Sequence, residues 1–368
     1  MSSSFCRISL NLLHLKKNID LLRRIGPPLM PVIKADAYGH GLLDIASALW
    51  EDRFDHLAVG TVFEAVQLRK GGFGGVIVAL LGALSDEDIA AAREHCIVPL
   101  IHDWSGLERL GTPAQRPLIV GLKVNTGMSR LGFPVGADAG EFGAVLDFLG
   151  KQTSLNPEYL ISHLAVADVP GEDAFTLKQV ALFQRAVAMS KERYPSLTAS
   201  LGNSAGLLAY PQLAGDLARP GIALYGGNPF YNTEKEFLGA ELLQVMQVTA
   251  PVLETRKLYP GQSIGYGRTY VAESERTVAI VGVGYADGFR RNPHPEACLT
   301  LHGRRARIVG RVSMQMTAVD ITDLLSVKPG DSAYILGGEG DAVTVHDLAD
   351  WWGSLPYEVM CLLGALNK

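Results

Sequence analysis

Through the first 230 residues, short apolar, β-branched runs alternate with stretches whose apolar positions recur every three or four residues, the pattern of βα units around a parallel sheet. Eight runs carry it: 29–34, 56–61, 76–82, 97–102, 118–125, 159–165, 197–204 and 217–226. Amphipathic helical stretches lie between them at 42–50, 62–70, 86–95, 141–149 and 175–193. Eight such units predict a closed (β/α)8 barrel of the TIM type, an α/β fold, over residues 1–230. From about residue 237 the apolar positions alternate in closely spaced runs at 244–258, 277–283, 298–304, 307–312, 317–321 and 332–336, with turn residues between them and no helical spacing. That predicts a separate, mainly antiparallel β domain over 237–368. The polar segment 228–236, with Pro229, reads as the linker.

Length supports two domains, since 368 residues at 48% hydrophobic content can fill two cores. Charge narrows the partners. A net charge of −5 and no long Lys/Arg run exclude a nucleic acid or an anionic membrane surface and leave a small-molecule substrate. No run reaches membrane-spanning length, and the first ten residues hold Arg7 and several polar residues where a signal peptide needs an apolar stretch, so the expected compartment is the cytoplasm. The four cysteines, Cys6, Cys96, Cys298 and Cys361, are too widely spaced for a zinc site, and no metal is expected.

In such a barrel the chemistry sits where strands end. The first run ends in Pro31-Val32-Ile33-Lys34, which puts an ammonium at the mouth of an apolar barrel. Burial lowers the pKa of a lysine and turns its amine into a Schiff-base nucleophile. Taken alone, Lys34 is better explained by a stem that snorkels to solvent. The eighth run, Leu217-Ala218-Arg219-Pro220-Gly221-Ile222, sets a guanidinium beside a glycine whose missing Cβ lets backbone N–H groups approach a phosphate.

The phrase Val32-Ile33-Lys34-Ala35-Asp36-Ala37-Tyr38-Gly39-His40-Gly41 resembles the cofactor-attachment motif of alanine racemases. Further similar phrases follow over nearly the whole chain, at 123–132, 163–168, 203–204, 219–226, 265–270, 284–288, 310–314 and 356–361. The resemblance implies pyridoxal 5'-phosphate carried on Lys34. It also implies Arg219 against the pyridine nitrogen, His163 against the ring, and Tyr38, Ser204, Tyr357 and the amides of Gly221 and Ile222 around the phosphate. Arg130, braced by Lys123, and the backbone of Met314 are implied to hold the substrate carboxylate. In relatives the lysine matching Lys123 is carboxylated. Tyr285 and Arg291 are implied to narrow the approach, although Asp287-Gly288 also reads as an ordinary turn. Racemisation needs a proton removed from one face of the α-carbon and another delivered to the opposite face, and Lys34 and Tyr266 are the two bases the resemblance points to. Since Tyr266 falls in the β domain, it is expected to reach the site from the partner of a homodimer whose active sites are shared. The implied reaction interconverts L- and D-alanine and supplies D-alanine for peptidoglycan.

Three departures from the family pattern affect finer points. Gln315 follows Met314 where an Asp is usual, Asn125 replaces an Asp in the arginine loop, and the tail after Cys361 lacks the usual basic and proline-containing residues. Two other readings stand beside the main one: a racemase of wider substrate range, and a barrel that carries pyridoxal phosphate without catalysis. A decarboxylase on a related barrel is disfavoured by Arg219, because that chemistry wants an acidic partner for the pyridine nitrogen.

Overall fold

The computed structural model describes residues 5–112, 114, 116–136 and 140–365. The first four residues, read above for a targeting signal, and the last three of the tail lie outside the described residues. Strands His56–Val59, Val76–Ala79, Ile97–Ile101, Leu118–Asn125, Leu155–Ile161 and Thr198–Ser200 pair in that order, all parallel. The first and eighth runs close the ring through single parallel bridges, Val32 to Ala58 and Leu29 to Ala218. Met30 and Val32 donate to the carbonyls of Ala218 and Pro220 at 2.7 and 2.9 Å. Pro28, Pro31 and Pro220 have no N–H, so no continuous ladder can form there. Strands covered on both faces need continuous apolar runs, and Leu57, Ala58, Val59, Ile77, Val78, Ala79, Leu160 and Ile161 are all fully buried.

The helices read from periodicity form the outer layer as Leu42–Glu51, Val62–Lys70, Asp86–Glu94, Gly140–Leu149 and Asp173–Lys191. The second domain is an antiparallel sheet in the order Arg304–Arg307, Cys298–Leu301, Ser332–Leu336, Met246–Leu258, Arg276–Val281, Thr317–Asp320. Along its central strand Met246, Val248, Ala250 and Val252 are buried in alternation. Two features have no counterpart in the sequence reading. The strand Arg7–Leu10 pairs antiparallel with Met246–Leu258, so the chain starts in the β sheet before it enters the barrel. Helices Val345–Trp352 and Pro356–Gly364 follow the last strand, the first opened by a Thr344–Asp347 capping box and closed by left-handed Gly353.

The polar segment between the domains is held by side chains of both, with Lys235 Nζ donating to the Asp173 carboxylate of the barrel at 2.7 Å. Asn228 donates its backbone N–H to His346 Nε2 at 3.0 Å, and the His346 ring stacks on Tyr231 at 4.2 Å. Accepting at Nε2 requires a neutral His346 with its proton on Nδ1, and burial holds its pKa below the ordinary value. Burial also draws His40 down to about 4. The unfolded chain takes up protons near the ordinary value of roughly 6.5, whereas the folded chain refuses them until lower pH. Stability is therefore full above that value and declines as pH falls from it toward 4. The thermal midpoint should drop between about pH 7.5 and pH 5, and drop less in His346→Gln, whose amide oxygen can still accept. Equal drops in the two proteins would remove His346 from the account.

Candidate active site

Beyond Ile33 the chain makes a turn that few sequences allow. Ala35, Asp36, Ala37 and Tyr38 all have φ between 53° and 57°, four consecutive left-handed residues without a glycine. Each costs roughly 1–2 kcal/mol relative to the right-handed form, so the surroundings must hold the turn in place. Ala37 N–H donates to Ile33 at 2.9 Å, Gly41 N–H to Asp36 at 3.0 Å, and the Asp36 carboxylate accepts from Leu42 N–H at 2.8 Å. His40 Nδ1–H lies 3.0 and 3.1 Å from the carbonyls of Ala37 and Tyr38, and its ring stacks on Tyr225 at 4.3 Å. From outside, helix Pro356–Gly364 presses on the turn. A Cβ at Gly364 would lie 2.2 Å from Gly39 Cα. Gly364→Ala should therefore cost about 1–3 kcal/mol of overpacking. A lowered urea midpoint would show it, and an unchanged one would mean that the helix docks elsewhere.

The turn sends Tyr38 back over the barrel mouth, where its ring lies 5.1 Å from Tyr225 and 6.2 Å from Tyr357. Any side chain at residue 221 would occupy the place of the Tyr38 hydroxyl, because a Cβ there falls 2.3 Å from it. Ser204 Oγ accepts from the N–H groups of Gly221 and Ala223 at 2.9 and 3.2 Å. Hydroxyls of Tyr38 and Ser204 and the backbone N–H of Ile222 thus form a cradle of donors suited to a phosphate, with the Gly221 N–H turned to Ser204. Burial raises the phenols of Tyr38 and Tyr357, so both remain donors at neutral pH, and the charge of Asp168 adds to the rise at Tyr357.

Beside the cradle lies a group of cations. Arg219 is buried and donates to Ser200 Oγ at 2.6 Å and to the Ser162 carbonyl at 2.5 Å. Burial pulls its pKa down to about 10, which leaves it charged at neutrality. Lys34 is held below the ordinary lysine value by burial first, then by Arg130 and Arg219, with Glu64 acting in the opposite direction. Lys123 is held well below it by burial, Arg219, Arg130 and Lys34. His163 is kept neutral by burial and the same cations, and its Nε2 lies 3.5 Å from Asn203 Nδ2. In the Arg130 loop, Asn125 Oδ1 accepts from the N–H groups of Gly127 and Ser129 at 2.9 and 3.0 Å. An amide oxygen is sufficient for that turn, so the missing Asp costs the loop nothing.

One chain does not gather every residue singled out from the sequence. Tyr266 opens a short helical turn in the β domain and is 63% exposed, and Met314 is also exposed. Among the described residues no hydrogen bond, ion pair or ring contact joins either to the barrel mouth. Tyr285 to Asp287 form another helical turn, closed by left-handed Gly288, and the Asp287 carboxylate caps Gly284 N–H at 2.9 Å.

Residues 10–229 match the family model for the alanine racemase N-terminal domain, and residues 245–368 match that for the C-terminal domain. The chain belongs to the alanine racemase family. An alanine racemase of Nitratidesulfovibrio vulgaris strain Miyazaki F is 48% identical over 95% of this chain and 94% of its own length. The biosynthetic alanine racemase of Pseudomonas aeruginosa superposes with a TM-score of 0.84 at 32% identity, over 97% of this chain and 96% of that one. The alanine racemase of Bartonella henselae, solved with covalently bound pyridoxal phosphate, gives 0.83 at 28% identity over 98% and 97% of the two chains. Membership in the alanine racemase family makes the protein a pyridoxal-phosphate-dependent isomerase. Three groups around this site had no place in the sequence reading: Ser162 and Ser200, which fix Arg219, and Tyr225, which packs under the turn. The serines are small polar residues at the ends of strands Leu155–Ile161 and Thr198–Ser200, a signal that is legible only once Arg219 needs acceptors.

Proposed function

We propose that the protein interconverts L- and D-alanine on pyridoxal 5'-phosphate, as a homodimer in which Lys34 and Tyr266 exchange protons at opposite faces of the α-carbon. The observation that carries this reading is the meeting of Lys34 and Arg219 at the mouth of one barrel, beside a donor cradle closed by Tyr38. The bound cofactor supplies a conjugated ring that takes up the electron pair left when the α-proton departs. Lys34, whose ammonium form is disfavoured by burial and by two arginines, is the group placed to take or return that proton. Arg219 remains cationic and has no carboxylate to share a proton with the pyridine nitrogen, which restrains the competing transamination. Tyr38, Ser204, Tyr357 and the amides of Gly221 and Ile222 would hold the phosphate, His163 would lie along the ring, and Arg130, with the Met314 amide supplied like Tyr266 by the second copy, would hold the substrate carboxylate. Support for a shared site comes from Tyr266 itself, an exposed residue of the β domain, open to a second copy of the chain.

On this reading the D-alanine feeds peptidoglycan synthesis in the cytoplasm. Among the described residues no helix is long and apolar enough to cross a membrane. The test is D-enantiomer formation from a panel of single L-amino acids, with alanine expected to turn over fastest. Comparable rates on several of them would favour a racemase of wider range, for which the uncharged Gln315 beside Met314 gives a reason. No racemisation of any substrate by cofactor-loaded protein would leave a non-catalytic carrier.

A further inference from the structure

We propose that Glu64 is a positioning residue for Lys34: its carboxylate ties the left-handed turn that follows the lysine to the end of the second barrel strand, and places a carboxylate charge opposite the cations around the amine. This rests on the reading of Lys34 as the lysine that carries the cofactor and exchanges protons.

Glu64 sits in the first turn of helix Val62–Lys70, where its backbone N–H donates to Thr61 Oγ1 at 3.2 Å and its carboxylate completes a capping box. A cap needs no more than that. Here the carboxylate continues past the helix. Oε2, which makes the cap bond to Thr61 N–H at 3.0 Å, also accepts from Gly60 N–H at 2.8 Å, while Oε1 accepts from Asp36 N–H at 3.4 Å. Asp36 is the second of the four strained residues, so one carboxylate joins the end of strand His56–Val59 to the turn. It also lies beside the lysine. A Cβ built on Gly60 would be 3.0 Å from Glu64 Oε2 and 3.6 Å from Lys34 Cβ, so both groups flank the same bare glycine.

The charges that face Lys34 come from several elements. Arg130 in the loop after strand Leu118–Asn125 and Arg219 in the eighth run disfavour its ammonium, and Lys123 and the neutral His163 stand beside the same arginines. Glu64 favours the ammonium, as does Cys361 from the C-terminal helix. A group that must both take and return a proton works best when neither form is strongly preferred. Glu64 limits how far the cations push Lys34 toward the permanently neutral amine.

The test compares Glu64→Gln with Thr61→Ala in the holoenzyme. The glutamine oxygen can still accept from Gly60 and Thr61, but its NH2 then faces Asp36 N–H, donor against donor, and the charge is gone. Amide exchange in peptides covering 34–41 should quicken about tenfold in Glu64→Gln, the effect of one lost hydrogen bond. Thr61→Ala should quicken exchange only in the first turn of helix Val62–Lys70. The pH midpoint of the bound-cofactor absorbance should move down in Glu64→Gln alone, and kcat should fall more than KM changes. Glu64→Asp, which keeps the charge but is one methylene short of Asp36, should loosen the turn while leaving the absorbance midpoint near that of the parent.

Exchange in 34–41 and an absorbance midpoint both unchanged in Glu64→Gln would overturn the proposal, as would effects shared equally with Thr61→Ala. Should Glu64→Gln not fold, an unchanged turn in Glu64→Asp would overturn the tether. Borohydride reduction of the parent separates the two levels. An adduct away from Lys34 ends the underlying reading, whereas an adduct on Lys34 with an unresponsive Glu64→Gln ends only this inference.

Discussion

Lys34→Ala loses racemase activity by at least about 10²- to 10⁴-fold, the usual contribution of one positioned acid/base group, and more where the attachment of the cofactor is lost with it. The fold should survive. Lys34 is half-buried among cations that oppose its charge, so truncation removes an unfavourable group from the barrel mouth. Cofactor-free Lys34→Ala should accordingly unfold at or above the midpoint of the cofactor-free parent. In the parent, borohydride reduction followed by peptide mapping should place the reduced adduct on Lys34. Small primary amines added to Lys34→Ala should restore part of the turnover, because they replace the missing base without replacing its tether. An adduct on another lysine, or substantial activity in the alanine variant, would remove Lys34 from the centre of the mechanism.

The second large effect concerns Tyr266. Tyr266→Phe alone should lose activity by about 10²-fold or more. Mixed with Lys34→Ala, it should regain some. The basis is geometric, since Tyr266 is 63% exposed in the β domain, whereas Lys34, Arg219 and the phosphate cradle belong to the barrel. In a two-fold, self-complementary dimer, a Lys34→Ala chain paired with a Tyr266→Phe chain assembles one intact site and one doubly defective site. Equal, random re-pairing should give about a quarter of the parental activity, since half the dimers are mixed and each has one good site of two. Subunits must first be dissociated and re-paired, and the mixed dimer verified by mass. Verified mixed dimers without activity would mean that both bases come from one chain, or that Tyr266 is not a base.

The barrel was legible because its strands are buried on both faces. Runs such as Val76 to Ala79 are apolar throughout, and helices such as Val62–Lys70 lie at the positions their spacing predicts. What escaped has physical reasons. Strand Arg7–Leu10 shows only four residues of weak alternation, and its partner is most of a chain away. The left-handed turn contradicts local preference at four residues, two of them alanines, so propensity points away from it and only its packing accounts for it. Glu64 has no place in the sequence reading, because its contact to Asp36 exists only once the first two barrel strands lie side by side. Arg219 and Lys34 were legible through the family motifs that hold them, whereas the serines that fix Arg219 lie in no such reading.

The pairing of Arg7 with Thr249 orders events during synthesis. The N-terminal strand leaves the ribosome about 240 residues before its partner, a wait of roughly tens of seconds at ordinary elongation rates. The barrel is complete in the meantime. Its polypeptide is then bracketed between two segments of one sheet, and the β domain can close only by bringing the earliest and the late-made strands together across a finished unit. A nascent chain halted before residue 246 therefore carries an N-terminal strand whose partner has not been made, an edge open to pairing with another chain.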